Sequence, residues 1–178
     1  RIQEQKGQLQ TLEFLNNFKK IENDFKCIFI GGPSGKYGNE YLEELERTVE
    51  KLSLDTHVEF VDNLPQTKII KLLNKAKLLI HTSQFETFGL VAIEAQTMGV
   101  PVLSINNGSL MEIIENNKNG YLSETLIDRG VTNFVSNLLN ENKIFEEISS
   151  SCIEMSKKYD WKKTSHIIQN IYEELVTY

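Results

Sequence analysis

Leu9, Leu12, Leu15, Phe18 and Ile21 recur at helical spacing, so residues 9–21 predict an amphipathic helix near the start of the chain. The pattern then shortens. Cys27-Ile28-Phe29-Ile30 is an unbroken apolar run ending in Gly31-Gly32-Pro33, which predicts a buried strand running into a glycine loop. Tyr41, Leu42, Leu45, Val49 and Leu52 return to the helical period, and Val58-Glu59-Phe60-Val61 reads as a second strand. The alternation continues with a helix over 65–76, a strand over 78–81, a loop, and a helix starting near Gly89. A strand over 102–105 and a short one over 120–122 follow, before helical stretches at 127–139, 144–155 and 161–175.

Strands that alternate with helices of this length require parallel crossovers, so the expected fold is α/β: a doubly wound, Rossmann-like parallel sheet with helices on both faces. A chain of 178 residues with no dividing linker is expected to form one domain. Ligands of such sheets lie beyond the carboxyl ends of the strands, which singles out the loops 31–38, 62–64, 82–89 and 106–109. The net charge of -6 gives no overall attraction to nucleic acid, so any anion site must be local. Cys27 and Cys152 are expected to be reduced core residues. No apolar run is long enough to span a bilayer, which leads us to expect a cytoplasmic protein, at most peripheral at the inner face of a membrane.

The densest chemistry lies in Glu86-Thr87-Phe88-Gly89-Leu90-Val91-Ala92-Ile93-Glu94. Were all nine residues helical, the two acids would stand about 12 Å apart along the axis and about 80° apart around it, and would not share one atom. The better expectation puts Glu86 in the loop and starts the helix at Phe88 or Gly89, where a small side chain admits a ligand to the backbone. Free N–H groups and the positive end of the helix dipole then point at an anion. A ligand with hydroxyls at both ends and phosphates between suits that layout, and a nucleotide sugar has this anatomy.

Two glutamates separated by seven residues, followed by Ala95 and Met98-Gly99-Val100-Pro101-Val102, resemble the signature of the retaining glycosyltransferases of family 4, or group 1. Arg1-Ile2-Gln3-Glu4-Gln5-Lys6-Gly7, Phe29-Ile30-Gly31-Gly32-Pro33, Asn107-Gly108 with Glu112, and Asn119-Gly120-Tyr121-Leu122 resemble its other motifs in order and spacing. The resemblance implies the carboxyl-terminal, donor-binding half of a two-domain GT-B enzyme, transferring a sugar with retention from a nucleoside diphosphate to an acceptor hydroxyl. It implies that Arg1 and Lys6 hold the diphosphate and that Glu86 binds sugar hydroxyls, these three being the catalytic group. It also implies that Phe88, Gly89 and Leu90 offer backbone donors, that Glu94 takes the ribose diol, and that Gly32, Asn63 and Leu64 lie near the donor. No Asp-x-Asp pair occurs, so the site is expected to need no metal and no cofactor beyond its nucleotide-sugar substrate.

The chain departs from the family at Thr87 and Asn107, where glycine is usual, and at its start, where the family has a central strand just before the position of Arg1. We therefore expect a fragment, with residues 1–178 the donor domain, terminal helices over about 141–178, and the amino-terminal acceptor domain absent. Such a fragment should bind donor without turnover, the acceptor being a glycan, lipid or protein hydroxyl met through the other domain. Two further functions fit the same site: a non-catalytic nucleotide-sugar-binding regulatory partner, and a GT-B nucleotide-sugar epimerase. Taken singly, a glutamate pair near a helix start is more often a solvated, dipole-friendly surface than a site, and it is the residues between and around the pair that reverse this. His57, His81 and His166 lack partners at metal-ligand spacing and read as structural or exposed. Lys157-Lys158 and Lys162-Lys163 around Trp161 suit contact with anionic lipid, although a solvated face is the plainer account.

Overall fold

The computed structural model describes residues 1–176. Thr177 and Tyr178, the last residues of the expected domain, lie outside the described residues. The strands are β1 (Cys27–Ile30), β2 (Val58–Val61), β3 (Leu79–His81), β4 (Val102–Ile105) and β5 (Gly120–Ser123). Around them run α1 (Gln8–Phe18), α2 (Gly38–Lys51), α3 (Gln66–Leu73), α4 (Leu90–Thr97), α5 (Leu110–Ile113), α6 (Arg129–Asn140), α7 (Asn142–Ser156) and α8 (Trp161–Val176). Every strand pairing is parallel, as the crossovers require.

The strands form two blocks, β1–β2 and β3–β4–β5, where one continuous sheet was expected. The blocks meet along residues 1–7. Ile2 bridges Pro33 in parallel beyond β1, and the Gln84 amide beyond β3 donates to the Gln5 carbonyl at 2.9 Å. This is the line on which the family resemblance set a central strand ahead of Arg1. Bonded on one edge only, β1 is also less enclosed than its unbroken apolar run implies: Ile28 is 38% exposed and Cys27 is half-buried. Both cysteines are free, and burial pushes each thiol up to about 12, so both stay protonated and unreactive at neutral pH.

β4 carries the core on both sides, as a central strand of a doubly wound sheet must. Val102 faces a cluster with Ala92, Ile93 and Ala95 of α4 and Leu110 and Ile113 of α5. Leu103 faces a larger one built from α1, α2, α6 and α7. The opening helix ends at Phe18, not Ile21, because core contact stops there: Phe18 stacks on Phe14 at 5.5 Å, whereas Ile21 is 64% exposed. At the other end, α8 buries no residue although its pattern is amphipathic, and Asp160 caps it by accepting from the Lys162 amide at 2.9 Å.

Leu103 is fully buried between β4 and the helical layer, so Leu103→Ala should cost about 2–5 kcal/mol. Urea unfolding followed by circular dichroism measures it, and a loss well under 1 kcal/mol would show that the larger cluster is not the stabilising core.

Candidate functional site

The site forms where three chain segments meet beyond β3. Gly7 adopts a left-handed conformation (φ 69°) and lies so close to the Thr82 carbonyl that no side chain fits there. The Thr82 hydroxyl reaches the Lys6 carbonyl at 3.0 Å and the Gly7 carbonyl at 2.8 Å, and it lies 3.1 Å from the Thr11 hydroxyl in α1. With one hydrogen to give, it shares that hydrogen between the two carbonyls and accepts from Thr11. These contacts bring Lys6 to the 82–89 loop. Its ammonium stands 3.5 Å from the Ser83 hydroxyl and 3.8 Å from Oε2 of Glu86. From the third side, the Asn107 side-chain amide donates to the Ser83 carbonyl at 2.6 Å.

Glu86 lies in the loop, as expected, with only 16% of its side chain exposed. Oε1 accepts from the Thr87 and Gly89 amides, each at 3.2 Å, and Oε2 accepts from Nε2 of His81 at 3.2 Å. Burial raises the pKa of this carboxyl, but the Gly89 amide, the Lys6 charge, the Phe88 amide and His81 together outweigh burial and bring it below the ordinary value. His81 moves down as well, chiefly by burial, which Glu86 offsets only in part. At neutral pH the loop therefore holds an ionised glutamate against a neutral histidine.

The helix begins at Leu90, with Gly89 as its N-cap in a left-handed conformation (φ 84°). Its glycine is explained by packing, not by ligand access. A Cβ at Gly89 would lie 2.7 Å from Cδ2 of Leu110 and 3.1 Å from Cδ1 of Ile113, on the core side. The Gly89 amide is already engaged by Glu86. Among the described residues, the amides of Leu90 and Val91, in the first turn, have no carbonyl partner. Glu94 lies within α4 with its side chain exposed, and no ion pair or side-chain hydrogen bond engages its carboxylate among the described residues.

The remaining predicted residues divide by place. Gly32 and Asn63 join the ends of β1 and β2, where the Gly32 amide donates to Oδ1 of Asn63 at 3.3 Å. A Cβ at Gly32 would meet Asp62 at 2.7 Å, so that glycine admits the neighbouring loop, and Leu64 follows it half-buried. Arg1 lies against Gly31 with its side chain exposed. Phe88 is half exposed and meets Tyr159 edge-on at 6.2 Å. His81 was not singled out from the sequence; the available signal was its place at a strand's carboxyl end, five residues before Glu86.

Of the four lysines near Trp161, two are engaged within the chain: Lys157 pairs with Glu154, and Lys158 donates to the Glu112 carbonyl at 3.1 Å. No helix among the described residues is long and apolar enough to cross a membrane. Nor do the described residues contain a group of three or more His, Cys, Asp or Glu side chains placed to hold a metal ion.

Against known proteins, the family model described as "Glycosyl transferases group 1" matches residues 1–159. The chain is 27% identical over 154 residues to the D-inositol 3-phosphate glycosyltransferase of Corynebacterium jeikeium, covering 86% of this chain and 36% of that protein. The crystal structure of HepE from Anabaena in complex with UDP superposes with a TM-score of 0.83 at 25% identity, covering 100% of this chain and 47% of that one. A mutant TarM of S. aureus, in complex with Fondaparinux, alpha-GlcNAc-glycerol and UDP, superposes with a TM-score of 0.82 at 26% identity, covering 97% of this chain and 34% of that one. The chain thus spans about a third to a half of the length of these proteins.

Two predictions follow from the geometry of the loop. Gly89→Ala should cost about 1–3 kcal/mol from its left-handed backbone, with the clash on Leu110 added, measured by denaturant unfolding. Acidification should also destabilise the chain. A His81 pKa below 6.5 and a Glu86 pKa below 4.5 both mean that the unfolded chain binds the proton more readily, so stability present at pH 7 is lost as pH falls through those ranges. Melting temperatures recorded from pH 8 to 4 check the sign, and a chain that becomes more stable on acidification contradicts it.

Proposed function

The chain belongs to the group 1 glycosyl transferases, and on that premise we propose that it is the donor-binding half of a retaining family 4 enzyme that takes a hexose from a nucleoside diphosphate. The observation carrying this proposal is the junction beyond β3, where Lys6, the ionised Glu86 and the open start of α4 converge. In this account the diphosphate rests against the Leu90 and Val91 amides, with Arg1 and Lys6 facing it. The exposed Glu94 carboxylate accepts from the ribose diol, Glu86 accepts from the sugar, and the loop of Gly32, Asn63 and Leu64 borders the base. UDP in the complexes of HepE and TarM makes a uridine diphosphate sugar the first donor to test.

In the reaction proposed, the bond between the anomeric carbon and the diphosphate oxygen breaks and negative charge grows on the leaving phosphate. Arg1, Lys6 and the α4 amides would stabilise that charge. The acceptor oxygen bonds to the anomeric carbon on the face the diphosphate leaves, and its proton passes to the departing phosphate. Two cationic side chains and a helix start supply the countercharge, so we propose a metal-independent site with no cofactor. The acceptor hydroxyl, on a glycan, lipid or protein, would be held by the rest of the enzyme. If that acceptor is a lipid, Trp161 with Lys162 and Lys163 would be the side chains to meet headgroups.

Calorimetric titration of UDP into the chain tests the assignment. Lys6→Ala and Glu94→Ala should each weaken binding about tenfold or more, the loss of a charge-assisted hydrogen bond. Affinity should be the same with and without EDTA. Unchanged affinity in both variants would remove the site from this junction, and a collapse of binding in EDTA would refute metal independence.

A further inference from the structure

His81 is held at the carboxyl end of β3, buried, with its backbone tied to β4. It ends β3 opposite Ser104 of β4, the Ser104 hydroxyl donates to its carbonyl at 2.8 Å, and only 8% of the residue is exposed. Its Nε2 lies 3.2 Å from Oε2 of Glu86, and its buried Nδ1 has no hydrogen-bond partner among the described residues. An ionised carboxylate only accepts, so Nε2 carries the hydrogen and Nδ1 is bare. The ring is a fixed neutral donor, and the group it holds is Glu86.

The lone pairs of Glu86 show what is left over. A carboxylate offers about four acceptor positions. The Thr87 and Gly89 amides take two on Oε1 and His81 takes one on Oε2, while the Phe88 amide acts on the carboxylate electrostatically without the geometry of a full hydrogen bond. The fourth, on Oε2, faces the side of Lys6, whose 3.8 Å separation is an ion pair rather than a hydrogen bond. Glu86 as built therefore has room to accept one hydroxyl, through the oxygen that His81 holds.

We propose that His81 is a positioning residue that aims Oε2 of Glu86 at a single hydroxyl of the transferred sugar, so that it governs recognition of the sugar and not of the nucleoside diphosphate. This rests on the donor-site assignment above. It extends that assignment to a residue outside the glutamate motif and restricts Glu86 to one hydroxyl.

The test compares UDP with UDP-glucose by calorimetry on the wild-type chain, His81→Asn and His81→Gln. Asparagine places its amide nitrogen near the position of Nδ1 and cannot reach Glu86, whereas glutamine places its nitrogen near Nε2 and can. His81→Asn should bind UDP within twofold of wild type and lose about tenfold in affinity for UDP-glucose, and His81→Gln should recover most of that loss. Melting temperatures of both variants separate misfolding from misplacement. Equal weakening of both ligands, full UDP-glucose affinity in His81→Asn, or failure of a well-folded His81→Gln to recover would each overturn the positioning role. So would a wild-type chain for which the glucosyl group adds nothing to UDP. Failure of the wild-type chain to bind UDP at all would instead overturn the donor-site assignment.

Discussion

The site exists because one buried hydroxyl joins distant parts of the chain. Thr82 is 4% exposed, so its polar group must find partners inside the protein, and it finds them in the Lys6 and Gly7 carbonyls and the Thr11 hydroxyl. Those bonds fix the segment ahead of α1 against the end of β3. With that constraint go the place of Lys6 and the bond from the Gln84 amide to the Gln5 carbonyl. A lysine on an unconstrained arm would spread its charge into solvent. Here it is held within 4 Å of Glu86.

The same junction resolves an electrostatic conflict in a chain of net charge -6, whose overall field opposes an anionic ligand. In the proposed donor site the local positive charge would come from Lys6, Arg1 and the first amides of α4. Glu86 is the apparent exception, a carboxylate inside a site proposed for an anion. Its charge is absorbed by the Thr87 and Gly89 amides and by His81, which leaves the Leu90 and Val91 amides and Lys6 to face outward. A glutamine in its place would accept fewer of those N–H bonds and present its own N–H groups to the same donors.

Much of the fold is legible in the sequence because its strands are short and apolar. The spans 27–30, 58–61 and 102–105 coincide with β1, β2 and β4, since an unbroken or alternating run of four residues has few other ways to be buried. Boundaries failed where tertiary contact overrides period, as at Ile21, which continues the helical spacing after the core has ended. Elements too short to show a period were missed, among them α5 and the 3-10 turn Glu4–Lys6. Within the site, the residues of the glutamate motif could be named because they are close in sequence. The Thr82 bonds, the break between β1 and β3 and the partner of His81 depend on segments that meet only in three dimensions. Gly89 shows a subtler limit: its need for glycine was visible, but the cause lies in Leu110 and Ile113, about twenty residues further on.

The two glutamates that first drew attention are chemically unlike, and the start of α4 makes them so. With Gly89 as N-cap, Glu86 falls where its carboxylate can curl back onto loop amides, and it is nearly saturated before any ligand arrives. Glu94 falls past the first turn, where all backbone amides are spent on the helix and its side chain projects outward with its acceptor positions open. The spacing of eight therefore does more than span a ligand. It sets a rigid acceptor with one position to offer before the helix and an open one after it, with the unpaired amides of Leu90 and Val91 between. Moving the helix start by even one residue would either spend those amides on Glu86 or turn Glu94 toward the core, because each residue rotates an α-helix by about 100°. The left-handed backbone at Gly89 fixes that start, and its packing against α5 is thus as much a part of the site as either acid.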